Sequence, residues 1–124
     1  MLIDTDILVD YLRLHPEAVH FLDGLTKKDR AVSVLTHLEL LQGCSTKLKS
    51  QTVDHFVKQF KVLPLDAEIS LSAMKLFREH KWHSHMSIPD VLIAATALSS
   101  GEILYTRNVK DYKMIPGLKL HSPY

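Results

Sequence analysis

Short apolar segments alternate with amphipathic segments along the whole chain, and this alternation constrains the fold more than any other feature. In the amphipathic segments the hydrophobic residues recur every three or four positions, which is the spacing of a helix that packs one face against a core. The predicted strands are residues 2–3, 31–35, 61–65, 103–106 and 118–121. Strands that alternate with helices form a mainly parallel sheet with right-handed crossovers and helices on both faces. We therefore predict an α/β fold of about five strands in a single domain, residues 1–124.

The predicted helix starts place polar residues directly after strands. Asp4 ends the first strand, and Thr5 and Asp6 are expected to cap the helix that follows, because side-chain oxygens accept the free N–H groups of a first turn. Thr36 is expected to cap a helix over residues 37–42, which puts Glu39 in its first turn. A further start, Ser87-Ile88-Pro89-Asp90, follows a polar loop and opens an alanine-rich helix, residues 91–98, whose nearly uniform apolarity predicts burial.

Composition excludes several classes of protein. With 46% hydrophobic and 23% charged residues, the chain is typical of a globular domain. Fifteen Lys and Arg against fourteen Asp and Glu give a net charge of +1, so any contact with nucleic acid requires a local basic patch. Cys44 is the only cysteine, which excludes an intrachain disulfide and a cysteine metal site. No segment looks like a signal peptide or a membrane span, and we expect a cytoplasmic protein without membrane association.

Four acids occupy corresponding places in the predicted topology. Asp4, Glu39 and Asp111 follow strands, and Asp90 opens the helix that leads into the fourth strand. Carboxyl ends of parallel strands share one edge, where ligands bind in open α/β sheets. Clustered carboxylates repel one another, and a hard cation such as Mg²⁺ or Mn²⁺ relieves that repulsion. Such ions activate water and stabilise a leaving oxygen, so the predicted chemistry is metal-assisted phosphodiester hydrolysis.

Spacing alone leaves a structural explanation open for each acid. Asp4 can be a strand-end cap, and Asp111 can be a solvated loop residue. Glu39 and Asp90 can simply complement the dipole of the helix in which they lie.

Three further features have two interpretations each. The segment 80–85 contains three histidines; without a cysteine or a well-spaced partner, a solvated loop is preferred over a zinc site. Within it, Lys81 and Trp82 are candidates for stacking on RNA or steering it. Arg107 either binds a phosphate or pairs with a carboxylate. The lysines of segment 45–61 are interpreted as a solvated face first and an RNA contact second.

Four segments resemble the motifs of PIN-domain ribonucleases, and specifically those of VapC-type toxins from toxin–antitoxin pairs. They are residues 2–10, 33–43, 88–97 and 104–112, and residues 115–118 resemble the family's ending. The third segment, Ile88-Pro89-Asp90-Val91-Leu92-Ile93-Ala94-Ala95-Thr96-Ala97, resembles its motif most closely. Each motif is short, but together they cover the chain in the family's order.

The resemblance implies a PIN-like three-layer sandwich and a Mg²⁺- or Mn²⁺-dependent endoribonuclease. Members cut tRNA or ribosomal RNA in exposed loops, usually form homodimers, and are inhibited by an antitoxin whose basic side chain often reaches the acidic pocket. The family's catalytic and metal-binding acids correspond to Asp4, Glu39, Asp90 and Asp111. The positions that help to arrange the site correspond to Thr5, Thr106 and Asn108. Asp6 stands where many members have Asn; it either contacts metal through water or caps its helix, and the cap is preferred.

Two rival functions use the same residues. A haloacid-dehalogenase-like phosphatase would use Asp4 as nucleophile and Asp6 as acid, but this leaves Glu39 and the helix around Ala94 unexplained. A catalytically inactive PIN domain would only bind RNA or protein, and the presence of all four acids argues against it.

Overall fold

A five-stranded parallel sheet forms the centre of the computed structural model, which describes residues 1–124. The strands are β1 Leu2–Ile3, β2 Ala31–Ser33, β3 Lys61–Leu63, β4 Leu104–Tyr105 and β5 Leu120–His121. Their order is β3-β2-β1-β4-β5, and every neighbouring pair is parallel. This order places β1 between β2 and β4, so the ends of these three strands are neighbours. The edge that they form is called the carboxyl edge below.

Seven α-helices and one 3₁₀ turn connect the strands. They are α1 Thr5–Leu12, α2 Pro16–Asp23, the 3₁₀ turn Lys27–Asp29, α3 Val34–Gln42, α4 Lys47–Val57, α5 Ala67–His80, α6 Ile88–Ser100 and α7 Val109–Tyr112. Gly101 ends α6 in the left-handed conformation (φ 70°), which glycine adopts without a steric penalty. None of the helices combines the length and apolarity that a membrane span requires.

Alternate residues of the strands face two separate cores. Leu2, Ala31 and Leu104 are in register and pack in the core formed with α5, α6 and α7. Ile3 and Val32 point to the opposite face and pack in the core formed with α1 to α4. Successive side chains of a strand point to opposite faces, so a strand buried on both sides reads as a continuous apolar run. The predicted sheet with helices on both faces is confirmed as a three-layer sandwich.

The structure corrects two predicted helix starts. Helix α1 is capped by Asp4, whose side chain accepts the Thr5 N–H, and not by Thr5 or Asp6. Strand β2 ends at Ser33, which caps α3 by accepting the Leu35 N–H at 3.0 Å. The β-branched run predicted a longer strand, but the serine hydroxyl offers a helix start inside that run. Thr36 is therefore inside α3, and Glu39 lies in its second turn rather than its first.

Candidate active site

Asp4 is fixed at the carboxyl edge by its backbone and by both side-chain oxygens. Its N–H donates to the carbonyl of Tyr105 in β4 at 2.9 Å. Its Oδ1 accepts the Thr5 N–H, and its Oδ2 accepts the Thr106 hydroxyl, each at 2.8 Å. Thr106 is fully buried and itself accepts the Asn108 N–H at 2.9 Å, so the end of β4 holds the carboxylate in place.

The environment of Asp4 disfavours its charged form. Burial, followed by the negative charge of Asp6, raises the pKa of the Asp4 carboxyl to about 7, and the charge of Asp90 adds to this. The hydrogen bonds from Thr106 and from the Thr5 N–H act in the opposite direction. A carboxyl group that titrates near neutrality is typical of a functional site.

Asp6 connects α1 to the segment after β4. Its Oδ2 accepts the Arg107 N–H at 2.9 Å and lies 3.3 Å from the Thr106 hydroxyl. Its Oδ1 is buried and has no hydrogen-bond partner. Burial raises the pKa of the Asp6 carboxyl, and the N–H groups of Arg107 and Ile7 oppose that shift. Asp6 therefore does not cap its helix, and it has an oxygen left for a ligand.

Glu39 reaches the same edge from α3. The Thr5 hydroxyl donates to Glu39 Oε1 at 2.8 Å, and it also lies 2.9 Å from the hydroxyl of the buried Thr36. This contact connects the first turn of α1 to the second turn of α3. Thr5 thus orients an acid, the role that the family resemblance implies for it.

Asp90 lies in the first turn of α6, inside a capping box. The Ser87 hydroxyl accepts the Asp90 N–H at 3.2 Å, while Asp90 Oδ2 accepts the Ser87 N–H at 3.3 Å. The hydroxyl of the fully buried Tyr112 donates to Asp90 Oδ1 at 3.2 Å. Burial, and then the charges of Asp4 and Asp90, raise the pKa of Tyr112, which keeps the phenol a neutral donor.

These side chains line one cleft of about 510 Å³, called the acid-lined cleft below. Its lining consists of the acids Asp4, Asp6, Asp10, Glu39 and Asp90, together with Thr5, Val9, Arg13 and Asn108. Three of the four predicted catalytic acids therefore meet there. Asp111 is not part of the lining. Its Oδ2 accepts a hydrogen bond at 2.8 Å from the side-chain amide of Asn108, which does line the cleft.

Sequence reasoning missed Asp10, Arg13 and Tyr112. Asp10 and Arg13 follow Asp6 at steps of four and three residues, so the helical spacing that places all three on one face of α1 could have identified them. Tyr112 lies within the fourth motif, but an aromatic residue on a short helix carries no signal that separates a hydroxyl donor from an ordinary core residue.

The predicted RNA contacts lie outside the cleft lining. Lys81 and Trp82 are exposed in the turn after α5, with the Lys81 Nζ 4.3 Å from the centre of the Trp82 ring. Arg107 pairs with no carboxylate, so that interpretation is wrong. Its guanidinium instead lies over the ring of Tyr124, 4.4 Å from the ring centre.

The chemistry of the cleft fits a hard divalent cation better than zinc. The donors are carboxylate oxygens, the ligands that Mg²⁺ and Mn²⁺ prefer, and Asp6 Oδ1 is a buried oxygen without a partner. No group of three or more His, Cys, Asp or Glu side chains is arranged as a finished metal cluster, in the cleft or in the histidine-rich segment. The fit therefore rests on the donor set and on carboxylate repulsion.

Residues 1–114 match the PIN domain family, and the chain belongs to that family. Among curated relatives it is 35% identical to ribonuclease VapC19 of Mycobacterium tuberculosis, over 99% of this chain and 98% of that protein. It is 28% identical to ribonuclease VapC1 of Methanocaldococcus jannaschii, over 98% of this chain and 87% of that protein. Among solved structures, a toxin–antitoxin complex from Klebsiella pneumoniae superimposes with a TM-score of 0.83 at 30% identity, over 99% of this chain and 97% of that one. The resemblance drawn from the motifs is confirmed.

Proposed function

We propose that the protein is an endoribonuclease that depends on Mg²⁺ or Mn²⁺ and acts as the toxin of a toxin–antitoxin pair. Its substrates are loops or single-stranded stretches of tRNA or ribosomal RNA. The observation that supports this most strongly is the meeting of Asp4, Glu39 and Asp90 around one cleft, in a chain whose curated relatives are ribonucleases.

The carboxylates of the cleft are the residues that would hold the cation. When bound there, a divalent cation neutralises phosphate charge and lowers the pKa of a water molecule. The protein's own part is orientation: Thr106 and Thr5 each hold one acid by a hydroxyl, and Tyr112 holds Asp90. Asp111 acts through Asn108, whose amide it fixes at the rim. Arg13 supplies the positive charge in the lining, where it can bind a phosphate.

RNA cleavage with and without metal tests the proposal. Purified protein should cut tRNA or ribosomal RNA in Mn²⁺ or Mg²⁺, stop in EDTA, and recover when the metal is restored. A phosphate monoester such as p-nitrophenyl phosphate should not be hydrolysed. Cleavage that persists in EDTA, with the metal content of the protein measured as nil, would refute the metal dependence.

Of the two rival functions, one is excluded and the other makes a distinct prediction. The haloacid-dehalogenase alternative is wrong, because the chain belongs to the PIN domain family; in addition, no lysine lines the cleft. The inactive-domain alternative predicts RNA binding without any cleavage in Mn²⁺, which the same assay detects.

An antitoxin is the proposed protein partner. The similar structure from Klebsiella pneumoniae is a toxin–antitoxin complex. Five acids line the cleft here, so a basic side chain of such a partner would replace the charge of the cation. Mg²⁺ should then weaken antitoxin binding in the parent protein and do so less in an Asp90→Ala variant. Equal antitoxin affinity of parent and variant would show that the cleft is not the anchor.

A homodimer is the proposed assembly. Helices α5 and α6 border an apolar groove of about 250 Å³. Met74 and Ile88 of its lining are 55% and 66% exposed, and Leu71, three residues before Met74 on α5, is 73% exposed. Exposed apolar side chains of this size are typical of an interaction surface. Sedimentation should therefore give the mass of a dimer at micromolar concentration, and Met74→Glu should shift it to the monomer. A parent protein that sediments as a monomer would overturn this.

A further inference from the structure

Arg107 is held at both ends by residues that connect to the acid-lined cleft. Its backbone N–H donates to Asp6, which lines the cleft. Its guanidinium lies over the ring of Tyr124, 4.4 Å from the ring centre. The Tyr124 hydroxyl in turn donates to Asp10 Oδ2 at 2.9 Å, and Asp10 also lines the cleft. Side chains far apart in sequence thus fix one arginine beside the acids.

The ring of Tyr124 is itself held in place. It stacks on the ring of His15, with 5.5 Å between the ring centres, and it packs against the core formed with α1 to α4. The ring is therefore contacted on a face by His15 and at its hydroxyl by Asp10. Tyr124 is therefore a fixed platform for the guanidinium.

The stacked guanidinium remains free to bind an anion. It donates no hydrogen bond to another part of the protein and pairs with no carboxylate, although the Arg107 backbone N–H donates to Asp6 and the Tyr124 hydroxyl donates to Asp10. A guanidinium that stacks by its face keeps its N–H donors in the plane available, and their fork geometry matches a phosphate. One oxygen of each acid is engaged: Asp6 Oδ2 accepts the Arg107 N–H, and Asp10 Oδ2 accepts the Tyr124 hydroxyl.

A cleft lined by five acids repels a polyanion, so RNA can approach it only where a cation offsets that charge. We propose that Tyr124 is a positioning residue that holds the Arg107 guanidinium beside the acid-lined cleft, where it binds a phosphate of the RNA. This inference rests on the proposed function and adds to it a residue with no direct part in the chemistry. Tyr124 keeps the guanidinium from turning onto Asp6 or Asp10.

A double-mutant cycle in RNA binding tests the pair. The probe is dye-labelled total tRNA in EDTA, titrated by fluorescence anisotropy at a series of NaCl concentrations. Arg107→Gln should raise Kd by about three- to tenfold and reduce the slope of log Kd against log salt by about one, the signature of one lost phosphate contact. Tyr124→Leu should have the same effect, and the double variant should be no worse than Arg107→Gln alone. Tyr124→Phe keeps the ring and should bind within about twofold of the parent.

Kinetics in Mn²⁺ provide a second measurement that a purely structural role would not reproduce. Arg107→Gln and Tyr124→Leu should raise KM while kcat stays within about twofold, because the contact is made by ground state and transition state alike. Lys28→Gln, which removes one charge from the exposed 3₁₀ turn, is the matched control and should leave Kd and KM unchanged. Thermal melting of each variant verifies folding, and Arg107→Gln removes no core group.

The outcomes separate this inference from the proposed function. If the parent cuts RNA and Arg107→Gln has the same Kd and KM as the parent, the phosphate contact is refuted and the proposed function is not. Additive effects of Arg107→Gln and Tyr124→Leu, or a Tyr124→Phe variant as weak as Tyr124→Leu, overturn the positioning role. A parent that neither binds nor cuts RNA overturns both.

Discussion

Asp4 and Asp90 approach the same cleft from two helix starts, and the two starts are built differently. At α1 the acid is itself the N-cap, and the end of β4 covers it, so the carboxylate is only 5% exposed. At α6 the capping hydroxyl comes from Ser87, and Asp90 stands three residues later with partial exposure. The first arrangement buries a charge, whereas the second leaves it near water.

The comparison shows that capping and a role in the site are not alternatives. Asp4 accepts a helix N–H with one oxygen and the Thr106 hydroxyl with the other, and its pKa is still raised to about 7. Two hydrogen bonds therefore do not offset burial and the neighbouring charge of Asp6. A cation in the cleft would favour the ionised form, so Asp4 is the acid whose charge is most sensitive to metal.

The largest expected effect is the loss of RNA cleavage in Asp4→Asn. The amide keeps the oxygen that caps α1 but removes a negative charge from the cleft. We expect cleavage in Mn²⁺ to fall by about a hundredfold or more, the range seen when one preorganised polar group is removed from an active site. Asp54→Asn is the matched control, since Asp54 is exposed on α4 and pairs with His37. If Asp4→Asn cleaved RNA at a rate within a fewfold of the parent's, Asp4 would serve only as a helix cap.

The second largest expected effect is that Asp4→Asn is more stable than the parent when no metal is bound. An acid with a pKa of 3.8 when unfolded and about 7 when folded binds its proton more tightly in the folded state. It therefore weakens the fold once the pH exceeds 3.8, and the penalty grows until about pH 7. Each pKa unit corresponds to about 1.4 kcal/mol, so Asp4→Asn should gain a few kcal/mol at neutral pH in EDTA.

Denaturant unfolding of parent and variant across pH measures that gain. The difference in unfolding free energy should become small below about pH 3 and be largest above about pH 7. Adding Mg²⁺ should stabilise the parent more than the variant, because the variant has lost a ligand. A variant that is less stable than the parent at every pH would show that burial of the Asp4 charge costs little.

The sequence predicted the sheet and the meeting of three acids because both depend on periodicity. A strand buried on both faces reads as an unbroken apolar run, and this places Asp4, which directly follows β1, at the carboxyl edge. Strand position alone does not select the other acids, because Asp111 follows β4 without lining the cleft, whereas Asp90 precedes β4 and lines it. The helix starts were predicted less well, because Ser33 and Thr36 are both good caps and the sequence does not distinguish them. In the structure Ser33 is the cap, and the Thr36 hydroxyl contacts that of Thr5 instead. The strand prediction accordingly ran two residues too far.

The partners of Asp6 and Arg107 could not be predicted, since both contacts join separate elements; Asp6 and Arg107 are 101 positions apart in the sequence. The Arg107 N–H that Asp6 accepts is a backbone group, and every residue except proline has one. The ring beneath the Arg107 guanidinium belongs to Tyr124, which no motif marks. Periodicity predicts which face of a helix or strand a residue occupies, but it does not predict the hydrogen-bond partners of that residue's polar atoms.

A smaller effect is expected from Tyr112→Phe, which removes the hydroxyl that Asp90 accepts. The loss of one buried hydrogen bond to a carboxylate should cost about 1–2 kcal/mol of unfolding free energy and reduce cleavage by about tenfold. Tyr11→Phe is the matched control: the Tyr11 hydroxyl also donates to an aspartate, Asp23, at 3.0 Å, but at the surface. Its loss should change stability by less than about 0.5 kcal/mol. Equal effects of the two variants would mean that the Tyr112 hydroxyl does not act at the site.

The smallest effect concerns the capping hydroxyl at α6. Ser87→Ala removes the acceptor of the Asp90 N–H, and loss of such a cap should cost about 1 kcal/mol of unfolding free energy. Cleavage should fall by less than about threefold, because Asp90 keeps the Ser87 backbone N–H and the Tyr112 hydroxyl as donors. Ser87→Asn should restore most of the stability, since asparagine caps as well as serine. If Ser87→Ala instead lost as much cleavage as Asp90→Asn, the hydroxyl would be setting the position of Asp90. The start of α6 would then resemble that of α1, where the capping group also determines where the acid lies.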